Sequence, residues 1–249
     1  ERCVASKSVS AAHTQAEATL ALLRLTQGDV VAADNLSRHA LEQDPSSPSA
    51  KLARSFVLQD KGDLDGALAA VEQPDGQRNL DLLARQAEVT FMFGEVPEAR
   101  AMLEQIPNRS WYAETVYGFV LMGDRSFDEA RSAFERASNE EPAAALPRMG
   151  LGIVKFNKGE LADARKEFER AAVLEPNRSI YRSYLGKDYF EDDNYAPAYP
   201  EYERAIELDP RDPTPYLYRS FMKLADNNLI GSLEDIDMAR QLSNNRDVY

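Results

Sequence analysis

The sequence is short of the residue types from which reactive sites are built. Its 249 residues hold one cysteine, Cys3, so an internal disulfide is excluded and both reducing and oxidising compartments stay open. It has two histidines, His13 and His39, in no metal-ligand spacing. They read as surface or packing residues at opposite ends of the first hairpin described below. No apolar run approaches the ~20 residues that a membrane-spanning helix needs, and the start lacks the basic-then-apolar order of a signal peptide. Direct membrane insertion of this segment is therefore not expected. Basic runs are missing too. With 29 Lys and Arg against 42 Asp and Glu, the formal net charge is −13, which argues against a nucleic-acid partner and for a solvated acidic surface.

Motifs that imitate chemistry fail on context. Gly150-Leu151-Gly152 has no strand before it. Glu191-Asp192-Asp193-Asn194 lacks the alternating ligands and central glycine of a calcium loop and falls where a turn is due. Asn35, Asn108 and Asn177 open N-x-S sequons, which matter only in a glycosylating pathway. The expectation is no catalytic residue, no metal, no cofactor and no enzymatic activity. The chain opens at Glu1 rather than methionine, which reads as a processed or trimmed piece.

What the chain does contain is a repeated phrase. Residues 168–176 read FERAAVLEP; 134–142 read FERASNEEP and 202–210 read YERAIELDP, at a fixed interval of thirty-four. Registered on the closing prolines, units open at Trp111, Ala145, Ser179 and Pro213. The eighth position is Gly118, Gly152, Gly186 and Ser220; the twentieth is Ala130, Ala164, Ala198 and Ser232. Then come Phe134, Phe168, Tyr202 and Ile236, and after them Ala137, Ala171, Ala205 and Ala239. Small–large–small at i, i+4 and i+7 is one face of an α-helix. The small eighth position lies on an earlier helix and permits close approach, and turn residues such as Asn157-Lys158-Gly159-Glu160 stand between the two. Each unit is then a helical hairpin too small to bury its own apolar face. The phrase recurs because each copy must dock on like neighbours.

These residues resemble the tetratricopeptide repeat family, most closely over units four to six. The resemblance implies an all-α fold, a tetratricopeptide-type α-solenoid forming a superhelix of about seven helical hairpins. Earlier units keep the frame less cleanly: Ala21, Gly28, Ala33, Ala40 and Pro45 in the first, Ser55, Gly62, Ala67 and Val71 in the second, Ala87, Gly94, Ala99 and Leu103 in the third. The expected organisation is an N-terminal segment 1–13, units 14–47, 48–79, 80–110, 111–144, 145–178, 179–212 and 213–246, and residues 247–249 opening a truncated further helix. The second unit departs into Gln73-Pro74-Asp75-Gly76, and the short units around 73–110 are expected to bend the stack and mark a subdomain boundary. Pro197 suits a first helical turn, whereas Pro200 predicts a shortened or kinked helix.

Hairpin solenoids bind partners mostly on the concave face lined by first helices. In this register that face takes positions two, five, nine and twelve: Tyr112, Thr115, Phe119 and Met122; Leu146, Met149, Ile153 and Phe156; Ile180, Ser183, Lys187 and Phe190; Thr214, Leu217, Phe221 and Leu224. The stripe is apolar and rich in aromatics and methionine, suited to an amphipathic or hydrophobic polypeptide segment. Packing between neighbouring first helices is the competing account of each single residue. Family members that grip a terminal carboxylate use Lys, Arg and Asn at such positions; only Lys187 qualifies here, which argues against that use.

Arg182-Ser183-Tyr184-Leu185-Gly186-Lys187 with Tyr189-Phe190-Glu191, Glu207-Leu208-Asp209-Pro210 through Pro215, and Asn245-Arg246-Asp247-Val248-Tyr249 resemble a narrower bacterial group. Its repeats sit between a ferric-citrate-regulator-like domain and an outer-membrane β-barrel-like region. That likeness implies a periplasmic arm, with a cytoplasmic protein as the alternative. Two functions follow: a protein-interaction scaffold, or a structural module whose groove is filled by its own chain or by a second copy as a homodimer. Asn245–Tyr249 also echo Asn177–Tyr181, predicting that Asp247 opens another hairpin and that Tyr249 is a cut rather than a natural end.

Overall fold

The fold comes from a computed structural model, in which residues 2–74 and 78–243 are described, with side chains from residue 11 onward. Asp75, Gly76 and the expected further helix at 247–249 lie outside the described residues. The chain divides into two compact units, Glu1–Asn108 and Arg109–Tyr249. The described residues form helices throughout and contain no strand.

Unit 1 holds α1 (Arg2–Thr26), α2 (Val30–Gln43), α3 (Pro48–Asp60), α4 (Leu64–Ala70), α5 (Leu80–Met92) and α6 (Val96–Glu104). The first helix runs unbroken across Thr14, so no boundary separates residues 2–13 from the first hairpin. α4 has seven residues and α6 nine, where unit 2's second helices have fourteen or fifteen, so the two short repeats are also the ones with shortened second helices. Packing is by small side chains: Ala18, Ala21, Ala40, Ala50 and Ala53 form one buried cluster, which lets three helix backbones close on each other. Arg85 is the largest fully buried side chain. Its guanidinium donates to Ser55 Oγ at 2.9 Å and Gln59 Oε1 at 2.6 Å, pairs with Glu88 and lies 3.9 Å from the Phe56 ring centre. These partners offset the cost of taking a charge out of water.

Unit 2 holds α7 (Trp111–Gly123), α8 (Phe127–Glu140), α9 (Ala145–Asn157), α10 (Leu161–Leu174), α11 (Ser179–Glu191), α12 (Tyr195–Leu208), α13 (Pro213–Ala225) and α14 (Leu229–Ser243). Each odd-numbered helix packs on the next to make a hairpin, and each hairpin docks on its neighbour. Ser110 and Asp212 cap α7 and α13 through backbone amides of their first turns. The turn inside each hairpin places one residue in the left-handed region: Arg125, Gly159, Asp193 and Asn227, thirty-four apart. Gly159 does this without a side-chain penalty; Arg125 is the ill-suited member of the series.

The cores of the first three hairpins of unit 2 are each built on one large residue of the second helix, whereas Ile236 at that position on α14 is 39% exposed. Phe134, Phe168 and Tyr202 are fully buried. A Cβ at Gly118 or Gly150 would lie within 2.6 Å of Phe134, and one at Gly152 would lie 2.4 Å from Phe168. The small positions are therefore receptacles for these rings. Pro200 does not shorten its helix: α12 keeps fourteen residues with the proline inside. Docking of Ala198, Tyr202 and Ala205 holds the helix, although Pro200 has no N–H to give to the preceding turn.

Candidate partner-binding face

The four first helices of unit 2 place the expected stripe unequally. Position five turns inward. Thr115 is fully buried and its hydroxyl donates to the Trp111 carbonyl at 2.7 Å; Ser183 does the same to Ser179 at 3.2 Å. Met149 is buried in a cluster with Tyr181 and Leu185 of the next hairpin. Thr115 and Met149 are thus packing residues between hairpins rather than an open surface. Leu217 occupies the same position on α13 but is 37% exposed.

Positions two, nine and twelve line the face. Phe119 stands edge-on to Phe134 at 5.0 Å and bridges two core clusters. Met122, Ile153 and Phe156 are half-buried beside those clusters, and Phe190 lies 5.4 Å from the Tyr195 ring. Tyr112 is half-buried, its ring 6.1 Å from Trp111. On α13 the face opens: Phe221 is 48% exposed and Leu224 50%.

Lys187 interrupts this stripe. Positions equivalent to it carry Phe119, Ile153 and Phe221. Its ammonium lies 4.8 Å from the ring centre of Phe156, 5.1 Å from Tyr218 and 6.0 Å from Tyr184. Three successive first helices each supply a ring. Burial holds this ammonium below the usual lysine range, against the weaker pull of Glu191 one turn on. The Tyr184 and Tyr218 rings meet edge-on at 6.1 Å and burial pushes both phenols up, so both are neutral at pH 7. The role of these two tyrosines was missed from sequence, yet a signal existed. They occupy the position of Gly150, thirty-four and sixty-eight residues on. Gly150 receives Phe134; in its place Tyr184 stacks on Phe168 at 5.7 Å and Tyr218 on Tyr202 at 6.4 Å.

Residues 121–187 match the sequence pattern of the tetratricopeptide repeat. The fold is the tetratricopeptide-repeat fold. A tetratricopeptide repeat protein from Parabacteroides merdae superposes with a TM-score of 0.62 at 17% identity, over 92% of this chain and 93% of that one. A chain of the Cut9–Hcn1 hetero-tetramer of the APC/C gives 0.70 at 17%, over 85% of this chain and 42% of that one. Human IFIT1, solved as a dimer with PPP-AAAA, gives 0.70 at 15%, over 86% and 56%. The chain thus spans about half the length of the last two, and at such identities the likeness is one of fold. No curated protein matches the sequence. Tetratricopeptide repeats generally mediate protein–protein interaction and are generally non-enzymatic scaffolds.

Among the described residues no group of three or more His, Cys, Asp or Glu could hold a metal ion, and no helix is long and apolar enough to cross a membrane. His13 and His39 are not at opposite ends of their hairpin. Both reach Glu17, at 3.7 and 2.8 Å, because the turn folds α2 back along α1. A shallow depression of about 400 Å³ is lined by Pro142, Arg148, Lys166, Arg170 and Val173. Its cations are already spoken for, Arg148 and Arg170 by Glu167 and Lys166 by Asp163.

Proposed function

We propose that this chain is a non-enzymatic scaffold whose unit 2 holds a polypeptide segment along the first-helix face of its repeats. One observation carries the reading. The partly exposed side chains of Met122, Phe119, Ile153, Phe156 and Phe190 and the half-exposed Phe221 recur at one face of α7, α9, α11 and α13, so four repeats contribute to one apolar stripe, broken only at Lys187. Apolar stripes of that extent on a soluble surface mark sites that another polypeptide covers. Aromatic and methionine side chains suit an amphipathic segment, since they repack around it at little cost.

The test uses Ile153→Ser, Phe221→Ser and Leu224→Ser combined, the latter two being about half exposed and so tolerant of polarity. A display library of amphipathic fifteen-residue peptides should enrich on the wild type and lose enrichment on the triple variant, while both keep the same far-UV spectrum. Equal enrichment on both would place binding elsewhere and end this reading.

A second reading has its own support. On α14, Leu229 is 61% exposed, Ile230 75% and Leu233 62%, a separate apolar face that a second copy could cover. Light scattering across a concentration series distinguishes them: a monomer at every concentration removes the self-association reading.

A further inference from the structure

We infer that Lys187 is an acid-recognition point within the apolar groove: it receives the carboxylate of an Asp or Glu side chain carried by the bound segment between apolar residues. The inference rests on the reading of this face as a docking site.

Most of the other cations of unit 2 already face carboxylates. Arg109 and Arg136 share Glu114. Arg148, Lys155 and Arg170 share Glu167, Arg219 and Lys223 share Asp235, Arg182 meets Glu201, and Arg165 meets Asp188 and Asp192. In a chain with 42 acidic residues, carboxylates are plentiful. Lys187 nonetheless has no carboxylate at ion-pair distance among the described residues; Glu191, one turn away, acts on it only at longer range.

Packing does not ask for a lysine here. The repeat frame is satisfied by Phe119, Ile153 and Phe221 at the equivalent positions, and each would avoid the desolvation that Lys187 incurs. Cation–π contact with three rings offsets part of that cost and also fixes the ammonium in one place. The outcome is a positive charge, held in position, half-withdrawn from water, on an apolar face and without an anion. A carboxylate delivered between apolar contacts would meet it in a medium where the pairing is stronger than in water. The site offers one cation rather than a set of donors, which fits a single side-chain carboxylate.

The experiment uses the full chain and matched sets of amphipathic peptides that differ only in one central residue, Glu, Gln or Lys, all amidated at the C-terminus. A fourth set carries Gln and a free C-terminal carboxylate. On the wild type, Glu peptides should bind about tenfold tighter than their Gln counterparts, the scale of one charge-assisted hydrogen bond. Lys187→Met, which restores the apolar character of the other repeats, should erase that difference while keeping the binding of Gln peptides. Lys187→Glu should reverse it in favour of the Lys peptides. Equal affinity for Glu and Gln peptides on the wild type, or a Glu preference that survives in Lys187→Met, overturns the inference and leaves the groove reading standing. A preference confined to the free-terminus set assigns the carboxylate to a chain end and overturns it as well. Absence of binding by every peptide defeats the groove reading, and this inference with it.

Discussion

Hairpins five (α9–α10) and six (α11–α12) share one thirty-four-residue frame and fill it differently. Where hairpin five has Gly150, Ile153, Val154 and Phe168, hairpin six has Tyr184, Lys187, Asp188 and Tyr202. Backbone and helix lengths stay the same: thirteen residues in each first helix and fourteen in each second. The frame is therefore set by the small positions and turns, and polar groups are admitted within it. Asp188 is fully buried, and Arg165 of hairpin five answers it at 2.7 Å. Its second oxygen and the Tyr202 hydroxyl are buried without a hydrogen-bond partner. Hairpin six thus draws the partner of its buried carboxylate from its predecessor, whereas the buried Glu167 of hairpin five is answered by Arg148, Lys155 and Arg170 of its own hairpin.

Substitutions at four positions test that difference. Phe168→Ala should cost about 3–5 kcal/mol in urea unfolding, because the ring fills a site closed by Gly152 and Tyr184. Tolerance of that change would mean hairpin five is not held by its ring. Arg165→Ala should also cost about 3–5 kcal/mol by leaving Asp188 buried and unanswered. Combining it with Asp188→Val, the residue of hairpin five, should recover most of the loss; failure to recover would show that Arg165 acts through its contact with Tyr189, 4.6 Å away, instead.

Smaller effects follow from the uncompensated groups. Tyr202→Phe, again the residue of hairpin five, should stabilise by about 1–2 kcal/mol, since it deletes a buried hydroxyl that bonds to nothing. A loss of stability would reveal a partner for that hydroxyl. The last test is pH. Burial raises the Asp188 carboxyl above its ordinary value of 3.8, outweighing Arg165. A group whose folded pKa is raised contributes stability in full below the unfolded value and loses it as pH climbs through the folded one. The wild type should therefore weaken relative to Asp188→Asn as pH rises from about 3.8. Parallel stability curves would show that Arg165 neutralises the burial cost completely.

Much of the architecture was legible before any coordinates. Trp111, Ala145, Ser179 and Pro213, read as openings of units from the proline spacing, are where α7, α9, α11 and α13 begin. Local signals suffice there, because turn residues, prolines and small–large–small spacing act within one hairpin. The partner face was legible only in outline. Thr115 and Met149 looked like surface positions, but whether position five is covered depends on how closely the next hairpin docks. Pro200 pointed to a shortened or kinked helix by local rules, yet α12 keeps its full fourteen residues around the buried Tyr202.

By itself the sequence determined the periodic frame. A recurrence of thirty-four residues with small residues opposite large ones has one physical solution, stacked helical hairpins, since no single unit can bury its own apolar face. Only the tertiary structure decided which side chains that stacking left uncovered, and that three rings from three different hairpins converge on Lys187. The reason is range. The frame is written by neighbours three and four residues apart, whereas two of the three rings at Lys187, Phe156 and Tyr218, come from about thirty positions away on either side, brought together by docking.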